Sequence, residues 1–282
     1  MKLSIKICDY IIKVDGETEP ERFNDFGFYR DFLTEAGQSC HCFLDHRISR
    51  PPDLELDANA FHTENWHLSG RDGRKVLCVG PRPKRGRYDN VVVFDRDYGS
   101  GIMYQKSAFE LFRRFIDQFL IMNLLSRDSG FLLHASGVVW NNKGICFTGP
   151  SGSGKSTMLN MFKGLVPKDC LLNDDRLALR NYGNHWRVFG TPWYGESRVS
   201  SPAGADLSAL FFIRHCAHNY IRKLSASEIL PQLMVLGLLP LWDKVATSQV
   251  LGSFQNLIRS IPAYEFGFLP DKSALELIKK VV

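Results

Sequence analysis

The stretch Gly149-Pro-Ser-Gly-Ser-Gly-Lys-Ser-Thr157 decides the fold, because it matches G-x-x-x-x-G-K-[ST] at every fixed position. Its glycines let the backbone turn sharply and approach an anion without a Cβ in the way. Successive N–H groups then point inward as a nest, and a helix beginning near Lys155 adds its positive N-terminal end. The stretch therefore predicts a loop that binds phosphate.

The positions of this loop have expected contacts. Lys155 is expected to reach the β- and γ-phosphates of a nucleoside triphosphate, and the Ser156 hydroxyl is expected to bind Mg²⁺. The full set expected to bind the nucleotide is Gly149, Ser151, Gly152, Ser153, Gly154, Lys155, Ser156 and Thr157. ATP and Mg²⁺ are the cofactors that follow from this set.

The flanking sequence supplies the strand and the helix that such a loop requires. Residues 143–148 are typical of a short buried strand, and residues 156–163 of a helix that ends at Gly164. Residues 131–140 form an apolar run, and Asn141-Asn142 is a good type I′ turn pair. We therefore expect the loop strand to be the second arm of a hairpin, which predicts a mixed rather than a parallel sheet.

The composition is that of an ordinary globular protein. Of the 282 residues, 44% are hydrophobic and 23% are charged, and the net charge of +5 does not by itself indicate nucleic acid as a partner. Seven scattered cysteines suit a reducing compartment, and the apolar runs are too short or too interrupted to span a bilayer. We expect a cytoplasmic protein with no membrane contact and no nucleic-acid partner.

Residues 1–106 are predicted to form a β-rich N-terminal region, because short alternating runs are separated by Gly, Pro and Asp clusters. A strand is expected over residues 2–14, followed by a hairpin turn at Asp15-Gly16. Residues 107–127 are typical of a buried helix, with Ser107 as N-cap and Glu110 at the capping-box position. Residues 107–282 then form the domain that carries the phosphate loop, which gives an α/β (α+β) fold.

Two features of the N-terminal region leave alternatives open. Cys40-His41-Cys42, with His46 nearby, has the residue types of a metal site but no second well-spaced pair, so a partly buried strand is the favoured interpretation. The basic run at residues 82–87 has the charge to touch nucleic acid or an acidic partner. A solvated loop is favoured there, because no aromatic residues are interleaved with the charges.

Beyond the loop helix, the chain alternates predicted strands and helices. A second hairpin is expected around Tyr182-Gly183. Further strands are expected at residues 207–215, 220–224 and 264–268, and helices at residues 225–236, 241–261 and 271–281.

Phosphoryl transfer needs more than a phosphate loop, and Asp174-Asp175 can supply the rest. The pair follows a short apolar run, so one carboxylate can hold Mg²⁺ with Ser156 while its neighbour accepts a proton from a hydroxyl. His134, on the strand paired with the loop strand, can reach the γ-phosphate region or be satisfied locally. Glu196 can hold a second metal or orient the acceptor, or be a surface residue in a turn.

Four segments together resemble the HPr kinase/phosphorylase-like family, which shares a phosphate-binding core with phosphoenolpyruvate carboxykinases. They are Leu132-Leu-His-Ala-Ser-Gly-Val138, Thr148-Gly-Pro-Ser-Gly-Ser-Gly-Lys-Ser156, Asn173-Asp-Asp-Arg176 and Thr191-Pro-Trp-Tyr-Gly-Glu196. The resemblance spans roughly residues 130–225 and is to the divergent members, some of which phosphorylate a serine of a peptide. It implies that His134 lies near the transferring phosphate, with Asp174 as base and Asp175 as metal ligand. It also implies a P-loop domain whose mixed sheet is flanked by helices.

These observations predict an ATP- and Mg²⁺-dependent kinase acting on a hydroxyl, a serine of a peptide or small protein. The predicted catalytic residues are Asp174, His134 and Lys155, and the predicted metal ligands are Ser156, Asp175 and Glu196. A nucleotide-binding module that recognises a peptide or partner without phosphotransfer is the alternative from another class, and a small-molecule kinase also stays open. A GTPase or ABC-type motor is disfavoured, because the chain has neither an Asn-Lys-x-Asp nor a Leu-Ser-Gly-Gly-Gln segment.

Overall fold

The computed structural model describes residues 2–16, 18–35, 39–52, 60–81, 88–107, 110–112 and 115–282, without the side chain of Arg71. The basic run at residues 82–87 lies outside the described residues. The chain divides into two compact units, Met1–Leu124 and Leu125–Val282, and each carries one mixed β-sheet. The protein therefore belongs to the α/β class.

The first unit is built on an eight-stranded sheet. Its strands are β1 (Lys2–Ile7), β2 (Tyr10–Gly16), β3 (Cys42–Ile48), β4 (Phe61–His62), β5 (Trp66–Arg71), β6 (Arg74–Val79), β7 (Asn90–Phe94) and β8 (Ser100–Gln105). The strand order is β1-β2-β3-β8-β7-β6-β5-β4, in which β3 pairs in parallel with β2 and β8 and the other pairs are antiparallel. A short helix, α1 (Phe26–Tyr29), follows β2.

Two predictions for this unit are wrong. The first hairpin turns at Cys8-Asp9 and not at Asp15-Gly16, since both residues have positive φ (53° and 69°) and β2 continues through Gly16. A type I′ turn requires this left-handed conformation at both central positions. Asp9 tolerates it, and its carboxylate also pairs with Lys6 at 2.9 Å.

The predicted helix at residues 107–127 begins nine residues later, as α2 (Ile116–Arg127). Side chains from elsewhere hold the backbone before it in a non-helical form. The buried Asp25 carboxylate accepts the N–H groups of Leu111 (2.8 Å) and Phe112 (3.0 Å). Gln105 Nε2 donates to the carbonyls of Glu110 and Leu111. These bonds replace the capping box that the spacing of Ser107 and Glu110 suggests.

The second unit has a nine-stranded sheet. Its strands are β9 (Gly130–Trp140), β10 (Lys143–Thr148), β11 (Leu171–Asn173), β12 (Arg176–Asn181), β13 (Trp186–Phe189), β14 (Gly204–His215), β15 (Tyr220–Lys223), β16 (Gly237–Leu238) and β17 (Ala263–Phe268). Its helices are α3 (Lys155–Met161), α4 (Ala226–Leu236), α5 (Lys244–Ser260) and α6 (Lys272–Lys279). The main path runs β10-β9-β12-β13-β14-β17-β15, and β10 also pairs with β14.

The mixed character predicted for this sheet is confirmed. Strands β9 and β10 form an antiparallel hairpin whose turn residues, Asn141 and Asn142, have φ of 51° and 62°. Strand β10 pairs in parallel with β14 on its other side, and β14 pairs in parallel with β17. The ends of β10, β14 and β17 therefore lie at one edge of the sheet, where the phosphate loop begins.

Two hydrophobic clusters show that helices cover both faces of this sheet. Along β10, Cys146 belongs to the cluster that includes Leu233 of α4 and Phe254 of α5. Its neighbour Phe147 belongs to the cluster that includes Leu159 of α3 and Ile278 of α6. Because successive strand residues point to opposite faces, α4 and α5 pack on one face and α3 and α6 on the other.

None of the helices in the described part of the chain is both long enough and apolar enough to cross a membrane. The cytoplasmic location expected from the cysteines stays a prediction.

Helix α5 offers a test of local stability. The Asp243 side chain caps its N-terminus by accepting the N–H groups of Val245 (2.9 Å) and Ala246 (3.1 Å). Replacing Asp243 by alanine is expected to lower the free energy of unfolding by about 1 kcal/mol, because those donors lose their acceptor. Asp243→Asn keeps the acceptor and is the matched control, with little change expected in urea unfolding. Equal losses in the two variants would contradict the capping role.

Candidate phosphate-binding active site

The predicted phosphate loop follows the end of β10 and leads directly into helix α3. Gly152 and Gly154 take left-handed φ values of 79° and 96°, which side-chain-bearing residues rarely adopt. A Cβ on Gly154 would also lie 2.7 Å from Phe268 Cζ and 2.9 Å from His215 Cε1. The loop conformation thus depends on glycine for both backbone geometry and packing.

Lys155 is the first residue of α3, and its side chain folds back over the loop. Its Nζ donates to the carbonyls of Gly149 (2.9 Å) and Pro150 (3.0 Å), and the residue is only 7% exposed. Burial lowers the pKa of Lys155, while the negative charge of Asp175 raises it. The ammonium group is therefore held by groups that a bound phosphate can replace.

The loop also contains a polar atom that fits a ligand role. The Ser153 hydroxyl is buried, and within the described residues it has no hydrogen-bond partner. The backbone around it is fixed, since Ser153 N–H donates to the Pro150 carbonyl and Ser136 Oγ donates to the Lys155 carbonyl. An unsatisfied hydroxyl in a fixed glycine-rich loop is consistent with a site for a strong acceptor such as phosphate.

His134 and Asp175 lie side by side because strands β9 and β12 are paired. His134 lies opposite Arg176 in the register, and Ala135 N–H donates to the Asp175 carbonyl at 3.0 Å. His134 Nδ1 is consequently 3.5 Å from Asp175 Oδ1. Burial and then the positive charge of Lys155 lower the pKa of His134, against the opposing effect of Asp175.

Asp174 has different neighbours. It is 3% exposed, and its two carboxylate oxygens accept the N–H groups of Gly195 (2.9 Å) and Ser197 (2.6 Å). The preceding residue, Asn173, is fully buried, and its side-chain oxygen Oδ1 accepts the N–H groups of Asp175 (2.7 Å) and Arg176 (2.8 Å). The turn that carries both aspartates is thus built by side chains of the turn itself.

A cavity of about 320 Å³ brings most of the predicted residues together. It is lined by His134, Ser151, Gly152, Gly154, Lys155, Ser156, Thr157, Asp174, Asp175, Gly195, Glu196 and His215. Gly149 and Ser153 are the two predicted residues that do not line it. The loop, the carboxylate pair and Glu196 thus share one cavity, although they lie far apart in sequence.

The structure adds residues that sequence reasoning missed. His215 ends β14, lines the cavity and stacks on Phe268, with ring centroids 5.5 Å apart. The position of His215 follows from the fold, because β14 runs parallel to β10, the strand before the loop, and its last residue lies at the same edge of the sheet. Asn173 and Gly195 lie in two of the segments that carry the resemblance, but the sequence predicted no role for either. Their roles depend on hydrogen bonds and close approach in the folded chain.

No group of three or more His, Cys, Asp and Glu side chains that could hold a metal ion occurs within the part of the chain that the structure describes. The two histidines of the Cys40–His46 segment form hydrogen bonds with other residues of the first unit. His41 Nδ1 accepts the N–H of Ile11 at 3.1 Å, and His46 Nε2 lies 2.8 Å from Gln105 Oε1. Of the three residues in the favoured strand interpretation, Cys42 begins strand β3, while Cys40 and His41 precede it and are exposed.

Comparison with known proteins identifies no family for this chain. No protein-family model matches the chain, and no curated protein matches it. Among solved structures, the chain is similar to the HPr(Ser) kinase/phosphatase from Coxiella burnetii, with 13% sequence identity and a TM-score of 0.28, over 53% of this chain and 87% of that chain. An identity of 13% is too low to transfer an activity, so function has to be inferred from the residues of the cavity.

Proposed function

We propose that this chain is an ATP- and Mg²⁺-dependent phosphotransferase that transfers the γ-phosphoryl group to a hydroxyl, a serine of a peptide or small protein. The observation that supports it is the single cavity lined both by the phosphate loop and by the Asp174-Asp175 pair. A phosphate loop by itself indicates only that a protein binds a nucleotide. Carboxylates beside it would repel a triphosphate unless a cation lay between them.

The loop residues fit a triphosphate. Lys155 is nearly buried and is held by two carbonyls of its own loop, so its charge can move to phosphate oxygens without leaving the site. The turn at Gly152 and Gly154, which line the cavity, leaves room for the close approach of an anion to the backbone. The positive charge of Lys155 then opposes the charge that develops on the transferring group.

Ser156, Asp175 and Glu196 are the residues that would hold Mg²⁺, since all three line the cavity and offer the oxygen ligands that Mg²⁺ prefers. The cation would neutralise and orient the phosphate oxygens. Water and phosphate oxygens would supply the remaining ligands, as is usual for Mg²⁺ at phosphoryl-transfer sites.

The transfer step can be written with these residues. The acceptor oxygen forms a bond to the γ-phosphorus while the bond from that phosphorus to the bridging oxygen breaks, and the electron pair leaves on the nucleoside diphosphate. The hydroxyl proton passes to a carboxylate of the Asp174-Asp175 pair. His134, beside Asp175, would donate a hydrogen bond to the transferring group.

One observation favours the alternative of a nucleotide-binding module without phosphotransfer. Both oxygens of Asp174, the residue that the resemblance implies as base, are already engaged with backbone N–H groups. The peptide or protein nature of the acceptor is supported only by the sequence resemblance.

The test is transfer of label from [γ-³²P]ATP to a panel of serine peptides, with small hydroxyl compounds as a second panel. We expect Mg²⁺-dependent, acid-stable label on a serine, and a loss of about 100-fold or more in the double variant Asp174→Asn/Asp175→Asn. Circular dichroism of the variant controls for folding. Nucleotide binding by the wild type with no labelled product in either panel would support the binding module instead.

A further inference from the structure

The two neighbouring aspartates differ in what they contact. Both oxygens of Asp174 are bonded to the backbone of Gly195 and Ser197, and the side chain is almost completely buried. Asp175 is a quarter exposed, and its oxygens lie 3.5 Å from His134 Nδ1 and 3.7 Å from Arg176 Nε. Its charge also acts on Lys155. Both carboxylates line the cavity, but it is Asp175 that lies beside His134 and Arg176 and whose charge acts on Lys155.

Further bonds tie the same turn to the segment that follows β13. Asn173 Nδ2 donates to the Thr191 carbonyl at 2.8 Å, and Thr191 Oγ1 donates to the Arg176 carbonyl at 2.7 Å. Asn173 Nδ2 also donates to Thr191 Oγ1 at 3.4 Å, so with the two bonds to Asp174 five hydrogen bonds join the turn at residues 173–176 to residues 191–197, here named the 191–197 segment. This segment carries Glu196 to the cavity.

Close packing reinforces this attachment. A Cβ on Gly195 would lie 3.2 Å from Asp174 Oδ2 and 3.2 Å from Asp175 Cβ, so the segment passes directly over both aspartates. The Asp174 carboxylate accepts two backbone N–H groups of this segment, and a hydrogen bond to an ionised acceptor is stronger than one to a neutral acceptor. The charge of Asp174 is thereby used to fix a piece of backbone.

We propose that Asp174 is a positioning residue, which holds the 191–197 segment and Glu196 at the cavity, and that Asp175 is the carboxylate of the pair that touches the substrates. This division of roles rests on the proposed function. It differs from the base role that the sequence resemblance implies for Asp174. If the resemblance assigns the roles correctly, Asp174 has to accept the proton while each of its oxygens is held by a backbone N–H group.

Amide hydrogen exchange of the wild type, Asp174→Asn and Asp175→Asn separates the two roles. An asparagine at 174 presents an NH₂ group to one of the two N–H donors, so we expect the amides of Gly195 and Ser197 to exchange about tenfold faster or more. In Asp175→Asn the exchange of the segment is expected to match the wild type. The two variants are matched, since each turns one carboxylate of the same turn into a carboxamide.

Binding of a fluorescent ADP analogue gives the second readout. We expect Asp175→Asn to lose the Mg²⁺ dependence of nucleotide affinity, while Asp174→Asn keeps it within about threefold of the wild type. In the phosphotransfer assay, Asp174→Asn is expected to act mainly through the acceptor KM and Asp175→Asn mainly through kcat. If Asp174→Asn fails to fold, Thr191→Val loosens the same segment and is expected to speed its exchange without altering either carboxylate.

Unchanged exchange of the 191–197 segment in Asp174→Asn, together with a kcat loss of 100-fold or more, would overturn the proposal and assign the base to Asp174. Loss of Mg²⁺-dependent binding in Asp174→Asn but not in Asp175→Asn would also overturn it. Exchange and nucleotide binding do not require phosphotransfer. The division of roles can therefore hold even if no acceptor is ever labelled, in which case the proposed function alone fails.

Discussion

Lys155→Ala is expected to lower phosphoryl transfer by about 100- to 1,000-fold, because the variant lacks the positive charge placed against the transferring phosphate. Lys155 lies at the first position of α3, lines the cavity and is nearly buried. No other lysine of the described residues lines the cavity, so none is placed to supply the missing charge. Alanine is a good helix former, and the helix itself is expected to survive. The measurement is kcat for γ-phosphoryl transfer at saturating ATP and acceptor.

Lys163→Ala is the matched control, because Lys163 is exposed just beyond the same helix and does not line the cavity. Its kcat is expected to equal that of the wild type. Comparable rates in Lys155→Ala and the wild type would contradict the assignment of the loop as the phosphoryl-binding element.

Gly154→Ala is expected to abolish measurable nucleotide binding and to destabilise the second unit. The methyl group would meet Phe268 Cζ at 2.7 Å and His215 Cε1 at 2.9 Å, and φ of 96° is unfavourable for any residue with a Cβ. Backbone strain and overpacking each cost about 1–3 kcal/mol. The loop has to shift to relieve them, which displaces the donors that surround the phosphates. Thermal unfolding and titration with the fluorescent ADP analogue measure the two effects.

Gly152→Ala separates the two causes. Gly152 has a similar left-handed φ of 79°, but no atom lies within 4 Å of the Cβ it would gain. We therefore expect a loss of about 1 kcal/mol in stability, clearly less than in Gly154→Ala. Equal destabilisation by the two substitutions would show that contact with Phe268 and His215 contributes nothing to the shape of the loop.

Local patterns were enough to predict the elements around the loop. Strand β10 has the predicted bounds, because it is a short apolar run between a turn pair and the glycine-rich loop. The Asn141-Asn142 turn followed from the tolerance of asparagine for positive φ. Helix α4 begins with the Ser225–Glu228 capping box that its sequence predicts. In each case the residues that determine the structure lie within a few positions of one another.

Predictions failed where distant side chains decide the backbone. The spacing of Ser107 and Glu110 is typical of a helix start, but Asp25 takes the N–H groups of Leu111 and Phe112, and the helix begins at Ile116. Likewise, Asp15-Gly16 is a good turn pair by composition, yet these residues lie inside a strand, where Gly16 pairs with His46. Nothing near these residues in sequence reveals either partner.

The candidate site was also predictable only where nearby residues determine it. Residue types and spacing pointed to the loop, His134, the aspartate pair and Glu196, and the structure places them in one cavity. The different surroundings of Asp174 and Asp175 were beyond sequence reasoning, since they depend on where the backbone of Gly195 and Ser197 lies. His215 joins the site only because β14 pairs with β10.

A crystal structure with Mg²⁺ and a non-hydrolysable ATP analogue tests the central claim most directly. The predicted result has the β- and γ-phosphates in the loop at residues 149–157, Lys155 Nζ moved from the Gly149 and Pro150 carbonyls onto phosphate oxygens, and Mg²⁺ between Ser156 and Asp175. A triphosphate bound elsewhere, or bound in the loop with Asp175 turned away from the metal, would contradict the convergence of loop and carboxylate on one magnesium-bound nucleotide.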